Sequence, residues 1–338
     1  MSSIDTARPF SARSTLVARS TLARKMPGPS SSSTSRSVMP GGYPNFGRLA
    51  LYSAIVALYS ATMATLTSHT RLDLNRHIGT ELQGVQLTEL DDEGIVVLRD
   101  LVADRGVVVL RDQQMTLDEQ IDVGSKLGPL HVHPAYAEKG RPEALRIHAD
   151  ASSTFAAGEG WHTDVSCDER PPAISMLRIE VNPSAGGDTA FASTYAAYDS
   201  LSDPMKEFLL GLEAVHAGDL PWRGHYKSKS DKEYPVNTHP VVRTHPLTGR
   251  RALYVNSGFT DKIRGLRGRE SAALLAMLFD HIALGVEFQC RVRWEPNTVT
   301  LWDNRCTQHH ASWDYFPETR SGWRVTTVGE RPFLDSPA

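Results

Sequence analysis

The sequence predicts a mainly β fold with covering helices, of the sandwich or jelly-roll type. Three observations carry this. Short β-branched or aromatic runs recur through most of the chain, and Gly, Pro, Asn and Asp separate them. Helical patterns are few. The strands do not alternate regularly with helices, which argues against a doubly wound α/β sheet.

The elements follow in order. Val107-Val108-Val109-Leu110, after Gly106, reads as a buried strand. Next comes a helix that opens on a Thr116/Glu119 capping box, carries Leu117, Ile121, Gly124 and Leu127 on one face, and stops at Gly128-Pro129. A second helix is expected after Ser202, with Pro204 in its first turn, where the missing N–H costs nothing. A third is expected from about Glu270 to Ile282. The expected strands are Ile174–Ile179, Val241–Thr244, Ala252–Val255, Val292–Trp294, Val299–Trp302 and Val325–Val328.

Ahead of these lies a different composition. Residues 1–48 are rich in Ser, Thr, Arg and Pro, and six arginines and Lys25 are opposed by Asp5 alone. Such a stretch reads as a disordered tail or an organelle transit peptide. Residues 49–68 are moderately apolar and long enough to span a membrane, but Ser53, Ser60, Thr62, Thr65 and Thr67 make them a poor span. Residues 1–68 are thus a disordered or targeting segment, and 69–338 hold the folded domain, packed to about Phe333. A cytoplasmic protein is expected, or a mitochondrial one if residues 1–48 act as a transit peptide.

The 338 residues are 40% hydrophobic with a net charge of -3, enough for one substantial core and no electrostatic reason to expect nucleic acid. The three cysteines, Cys167, Cys290 and Cys306, are too few and too scattered for a disulfide framework or a Cys-rich zinc site. A membrane partner is not expected, and homo-oligomerisation is left open.

The chemistry-bearing residues fall in three places. In Trp161-His162-Thr163-Asp164 an extended chain points His162 and Asp164 to the same side. An imidazole and a carboxylate there can take adjacent positions on a metal. A further His from elsewhere would complete a 2-His-1-carboxylate set of the kind that serves Fe(II) oxygenases. Alone, His-x-Asp is more often a surface His beside an acid. Trp302-Asp303-Asn304-Arg305-Cys306-Thr307-Gln308-His309-His310 offers two candidates for that His; the plain alternative is a polar turn after a buried Trp. Arg320 and Arg324, four residues apart, share a face of a strand or helix. Their planar forks suit two anions; by default they are solvated surface arginines.

Taken together, W-H-T-D, then Gly186-Gly187-Asp188-Thr189, then W-D-N-R-x-T-Q-H and two spaced arginines resemble the TauD/TfdA family of Fe(II)/2-oxoglutarate dioxygenases, and within it the taurine dioxygenases. The resemblance covers about residues 70–333 and implies a double-stranded β-helix. It implies that His162, Asp164 and His309 hold Fe(II), the His after Thr-Gln being favoured over His310. Thr189 and Arg320 would bind the distal carboxylate of 2-oxoglutarate, and Arg324 the anionic group of the substrate. His133, Tyr136 and Phe259 match substrate-contacting positions. The implied reaction consumes O2 and 2-oxoglutarate and hydroxylates taurine or another alkanesulfonate, giving sulfite, an aldehyde, succinate and CO2. Alternatives are an aryloxyacetate-like carboxylate or an alkyl sulfate ester as substrate. From other classes, a non-catalytic jelly-roll binding protein and a zinc hydrolase rank lower. Two departures bear on the substrate: Gly158 stands where the taurine enzymes have Asn, and Gly218–Tyr234, with Trp222 and His225, does not align.

Overall fold

The structure is a computed structural model, and it describes residues 70–133, 140–222 and 233–335. The expectations for residues 1–68 lie outside the described residues. The chain runs through β1 (Arg71–Asp73), β2 (Thr80–Leu82), the helix Asp92–Arg105, β3 (Val107–Leu110), the helix Leu117–Leu127, β4 (Ala144–Ala149), β5 (Pro172–Val181) and β6 (Thr189–Ser193). Two short helices follow, Thr194–Asp199 and Asp203–Leu209, then β7 (Glu213–Ala217), β8 (Val236–Pro240), β9 (Val242–Thr244), β10 (Arg251–Leu253) and β11 (Thr260–Ile263). The helix Gly268–Leu284, β12 (Gln289–Val292), β13 (Val299–Asp303), β14 (Thr307–Ala311) and β15 (Arg320–Val328) complete it.

The largest sheet among the described residues has seven strands in the order β1-β2-β3-β13-β5-β15-β4, and it faces a three-stranded sheet, β12-β6-β14. The jelly-roll expectation holds. Side chains on a strand alternate between faces, and β3 shows the consequence. Val107 and Val109 pack with Leu177, Ile179, Phe191, Val292 and Trp302 in the core between these sheets. Val108 and Leu110 point the other way, into a second core covered by the helices Asp92–Arg105 and Leu117–Leu127. A strand buried on both faces must be apolar throughout, and so β3 stood out in the sequence.

The capping box at Thr116 is present: its hydroxyl accepts from Glu119 N at 3.2 Å, and Glu119 accepts from Thr116 N at 2.7 Å. The buried face of that helix, Gln120, Val123, Gly124 and Leu127, only partly matches the expected stripe. Val292–Trp294 is corrected to Gln289–Val292, because it is Gln289 to Val292 that pair with β6. Ala252–Val255 is corrected to Arg251–Leu253, the residues that reach β9. The stretch after Trp302 is a tight turn leading into β14, so His309 stands on a sheet strand.

Candidate active site

His162 and His309 are brought together by backbone. His162 N donates to His309 O at 3.0 Å and His309 N donates to His162 O at 2.8 Å, an isolated antiparallel bridge. Residues that exchange both hydrogen bonds carry their side chains on one face. The two imidazoles accordingly lie with ring centroids 4.1 Å apart. Thr163 Oγ1 also donates to Thr307 O at 2.9 Å, which ties the two segments again. His310, one position on, faces away and meets Trp161 edge-on at 5.9 Å.

Asp164 completes the cluster. Its Oδ1 lies 3.9 Å from His162 Nε2 and 3.8 Å from His309 Nε2, and ligand atoms of all three fall within 4.8 Å of one another. The turn that begins at Asp164 holds Val165 at a φ of 40°, a costly conformation for a β-branched residue that only firm surroundings maintain. Those surroundings are visible. Ser175 Oγ on β5 donates to Asp164 Oδ2 at 2.8 Å, and Asn304 Nδ2 donates to Ser175 Oγ at 2.9 Å. Asn304 Oδ1 in turn accepts from Trp302 Nε1 at 3.1 Å and Asp164 N at 3.3 Å. The Trp-Asp-Asn-Arg motif therefore acts on the cluster through Asn304, a role that the sequence did not disclose. Ser175 had no signal at all.

The protonation states follow from burial and charge. Burial pushes the His309 imidazole well below its ordinary range, and the neighbouring His162 adds to this. Burial lowers His162 likewise, with Asp164 opposing. Burial alone would raise the Asp164 carboxyl, but Arg324, His309 and His162 together hold it below the usual carboxylate range. Two neutral imidazoles and an ionised carboxylate result, the forms in which these groups bind a metal. His162 Nδ1 donates to Gly160 O at 2.9 Å in the tautomer that leaves the Nε2 lone pair facing the cluster.

The two arginines stand on β15, where residues 320, 322 and 324 share a face. Arg320 is buried. Its Nη2 reaches Thr189 Oγ1 at 3.4 Å, its guanidinium lies over Trp294 at 5.4 Å, and its Nε has no partner. Asp188, whose charge acts on it, is bonded to Arg291 at 2.6 Å. Thr189 Oγ1 also accepts from Trp294 Nε1 at 3.0 Å, which leaves its own hydrogen to donate. A buried cation beside a free hydroxyl donor fits a carboxylate ligand. Arg324 Nη1 donates to Asp164 Oδ1 at 2.5 Å, with its Nε unpartnered. A cleft of about 1110 Å³ is lined by His133, His162, Asp164, Thr189, Phe259, His309, Arg320 and Arg324. These are all the residues selected from the sequence except Tyr136, which lies outside the described residues. His133 is held neutral, its imidazole pushed down to about 4 by burial first and Arg324 next.

The wall segment that carries Phe259 sits against His162. A Cβ on Gly258 would come within 2.9 Å of His162 Cβ, and Ser257 Oγ donates to Trp161 O at 2.8 Å. Asn256 shapes this loop by accepting from Phe259 N and donating to Ser166 Oγ, both at 2.9 Å. A second group of metal-ligand types, His245, Asp303 and Cys306, is wholly buried. It is structural, because Asp303 already takes Arg305 on both oxygens, at 2.8 and 2.6 Å, and His245 at 3.1 Å.

A jelly roll holding a His-x-Asp…His cluster beside a buried anion clamp is the architecture of a 2-oxoglutarate-dependent dioxygenase, and the comparisons agree. The chain belongs to the family described as taurine catabolism dioxygenase TauD, TfdA family, whose profile matches residues 70–326. An alpha-ketoglutarate-dependent sulfonate dioxygenase of Saccharomyces cerevisiae is 36% identical over 76% of this chain and 66% of its own length. An alpha-ketoglutarate-dependent sulfate ester dioxygenase of Pseudomonas putida is 34% identical, covering 81% of this chain and 95% of its own. The crystal structure of a taurine dioxygenase from Burkholderia xenovorans superposes with a TM-score of 0.68 at 36% identity, covering 78% of this chain and 91% of that one.

Proposed function

We propose that this dioxygenase works with Fe(II) held by His162, Asp164 and His309, and hydroxylates small organosulfonates at the carbon bearing the sulfur. The observation that carries the reading is the buried two-His, one-carboxylate cluster with Arg320 and Arg324 aligned beside it. The donor set is one that suits iron(II) chemistry. Bound there, the metal would supply the activation of O2 that couples decarboxylation of 2-oxoglutarate to hydroxylation.

The chain's own groups do the positioning. Arg320 and Thr189 hold the distal carboxylate of 2-oxoglutarate, the guanidinium by a charge-assisted pair and the hydroxyl as a donor. Arg324 and the neutral His133 take the sulfonate, and Phe259 walls the pocket, so that the C–H bond beside sulfur is presented at a fixed place. Hydroxylation of that carbon gives a 1-hydroxysulfonate, which collapses to an aldehyde and sulfite. A sulfate ester is the second reading, favoured by the 34% identity to the Pseudomonas putida enzyme.

The test begins with anaerobic reconstitution. His309→Ala should lose bound iron while His310→Ala keeps it; the reverse would overturn the ligand assignment. In turnover, Arg320→Ala should raise KM for 2-oxoglutarate and Arg324→Ala KM for the sulfonate, each by roughly 2–5 kcal/mol in binding. Sulfite must be released. Equal modest rises for both ligands in both variants would remove the division of labour.

A further inference from the structure

The cleft is unbalanced in charge. Among the described residues, its cations are Arg146, Arg320 and Arg324, and its carboxylates are Asp164 and Glu159. Asp164 is engaged on both oxygens, by Arg324 and Ser175. Glu159 is exposed. An ammonium group carried in by a substrate therefore meets the buried guanidinium of Arg320, the half-buried one of Arg324 and, among the described residues, no free buried carboxylate. Taking a cation out of water without a partner is costly.

The remainder of the wall is predominantly apolar, with His148, Ser152, Ser153, Thr154 and Ser257 interspersed. Leu145, Phe155, Ala157, Trp161, Leu220 and Phe259 line the cleft. Leu145 pairs with Arg324 across β4 and β15, so the apolar surface begins beside the anion site. Phe155 is 38% exposed, an aromatic ring left facing water. Gly158, at a φ of 89°, adds no polar side chain between it and His162.

We infer that the substrate is a monoanion with an alkyl or aryl tail, and that the cleft favours it over a zwitterion of the same shape. The inference rests on the dioxygenase reading above but not on the head group. The tail lies along the apolar wall, and each methylene it buries is worth about fourfold in affinity.

The experiment uses isosteric pairs on the full chain with Fe(II) and 2-oxoglutarate. Propanesulfonate is set against taurine, and butanoate against β-alanine; hexanesulfonate extends the tail. Succinate formation gives kcat/KM, and calorimetry without O2 gives binding. Propanesulfonate should exceed taurine by at least about tenfold, with a further rise for hexanesulfonate. Phe155→Asp should shift the propanesulfonate-to-taurine ratio towards taurine by about tenfold. Taurine equal to or better than propanesulfonate, or a ratio unmoved by Phe155→Asp, overturns the inference. If only carboxylates turn over but butanoate exceeds β-alanine, the sulfonate reading fails and the tail inference stands. Absence of binding by every anion overturns both.

Discussion

Arg324 bonds to Asp164 and, in the proposed function, also takes the anionic group of the substrate. In the structure it holds Asp164, and its free Nε is available to an incoming anion. Behind Asp164, on its other oxygen, runs the chain of Ser175, Asn304 and Trp302. This chain fixes which oxygen of Asp164 faces the two imidazoles. Ser175→Ala should therefore weaken iron binding by roughly 10–100-fold, measured by chelator competition. The fold should lose only about 1–2 kcal/mol, since one buried amide donor is left unpaired. Unchanged iron affinity with a lowered melting temperature would show that Ser175 is merely structural. His162 and Asp164 were legible in the sequence because two residues of extended chain set their geometry. Ser175 was not, because it reaches Asp164 from a neighbouring strand, and a serine on a strand carries no signature of its partner.

At the scale of elements, β15 arranges both arginines, and the residue between them on the same face is Gly322. A Cβ there would lie 2.1 Å from Arg178 O and 2.8 Å from Ile179 Cα, both backbone atoms of β5 that have no room to retreat. Gly322→Ala should push β15 away from β5, where the register already shifts between Ser321 and Gly322. We expect a loss of about 2–4 kcal/mol in urea unfolding and raised KM for both 2-oxoglutarate and sulfonate. A variant as stable as the parent would mean that this close approach is relaxed in solution. Helices with local punctuation were legible, such as Leu117–Leu127 with its capping box. The helix Asp92–Arg105 was not. Its Ile95-Val96-Val97-Leu98 run is as strand-like as helical, and its burial against the β3 face decides between them.

For the whole molecule, acid stability follows from buried histidines outside the site. His216 and His239 are almost fully buried, with ring centroids 5.3 Å apart, and burial pushes their imidazoles down to about 3 and about 4. Above the ordinary value of 6.5 both folded and unfolded chains leave them neutral, and they add no pH dependence. Below it the unfolded chain takes up protons that the folded one refuses. Stability is therefore full above 6.5 and lost as pH falls from 6.5 towards about 4, by up to about 1.4 kcal/mol per pH unit for each group. The melting temperature should drop between pH 6.5 and 4.5, and His216→Gln should flatten that drop. An unaltered slope in the variant would assign the acid lability to other groups.

What the sequence determined by itself is what depends on neighbours along the chain. The β alternation, the helix stops, the His162–Asp164 pair and the common face of Arg320 and Arg324 all follow from backbone periodicity. Their family motifs together pointed to the fold. Tertiary structure alone decided the rest. It chose His309 over His310 geometrically, since the bridge to His162 turns one imidazole inward and the other out. It left Arg320 buried without a carboxylate and gave Arg324 to Asp164. It also set an apolar wall beside a cationic clamp. These outcomes depend on which strands become neighbours, and that is settled by burial of the two cores rather than by any local pattern.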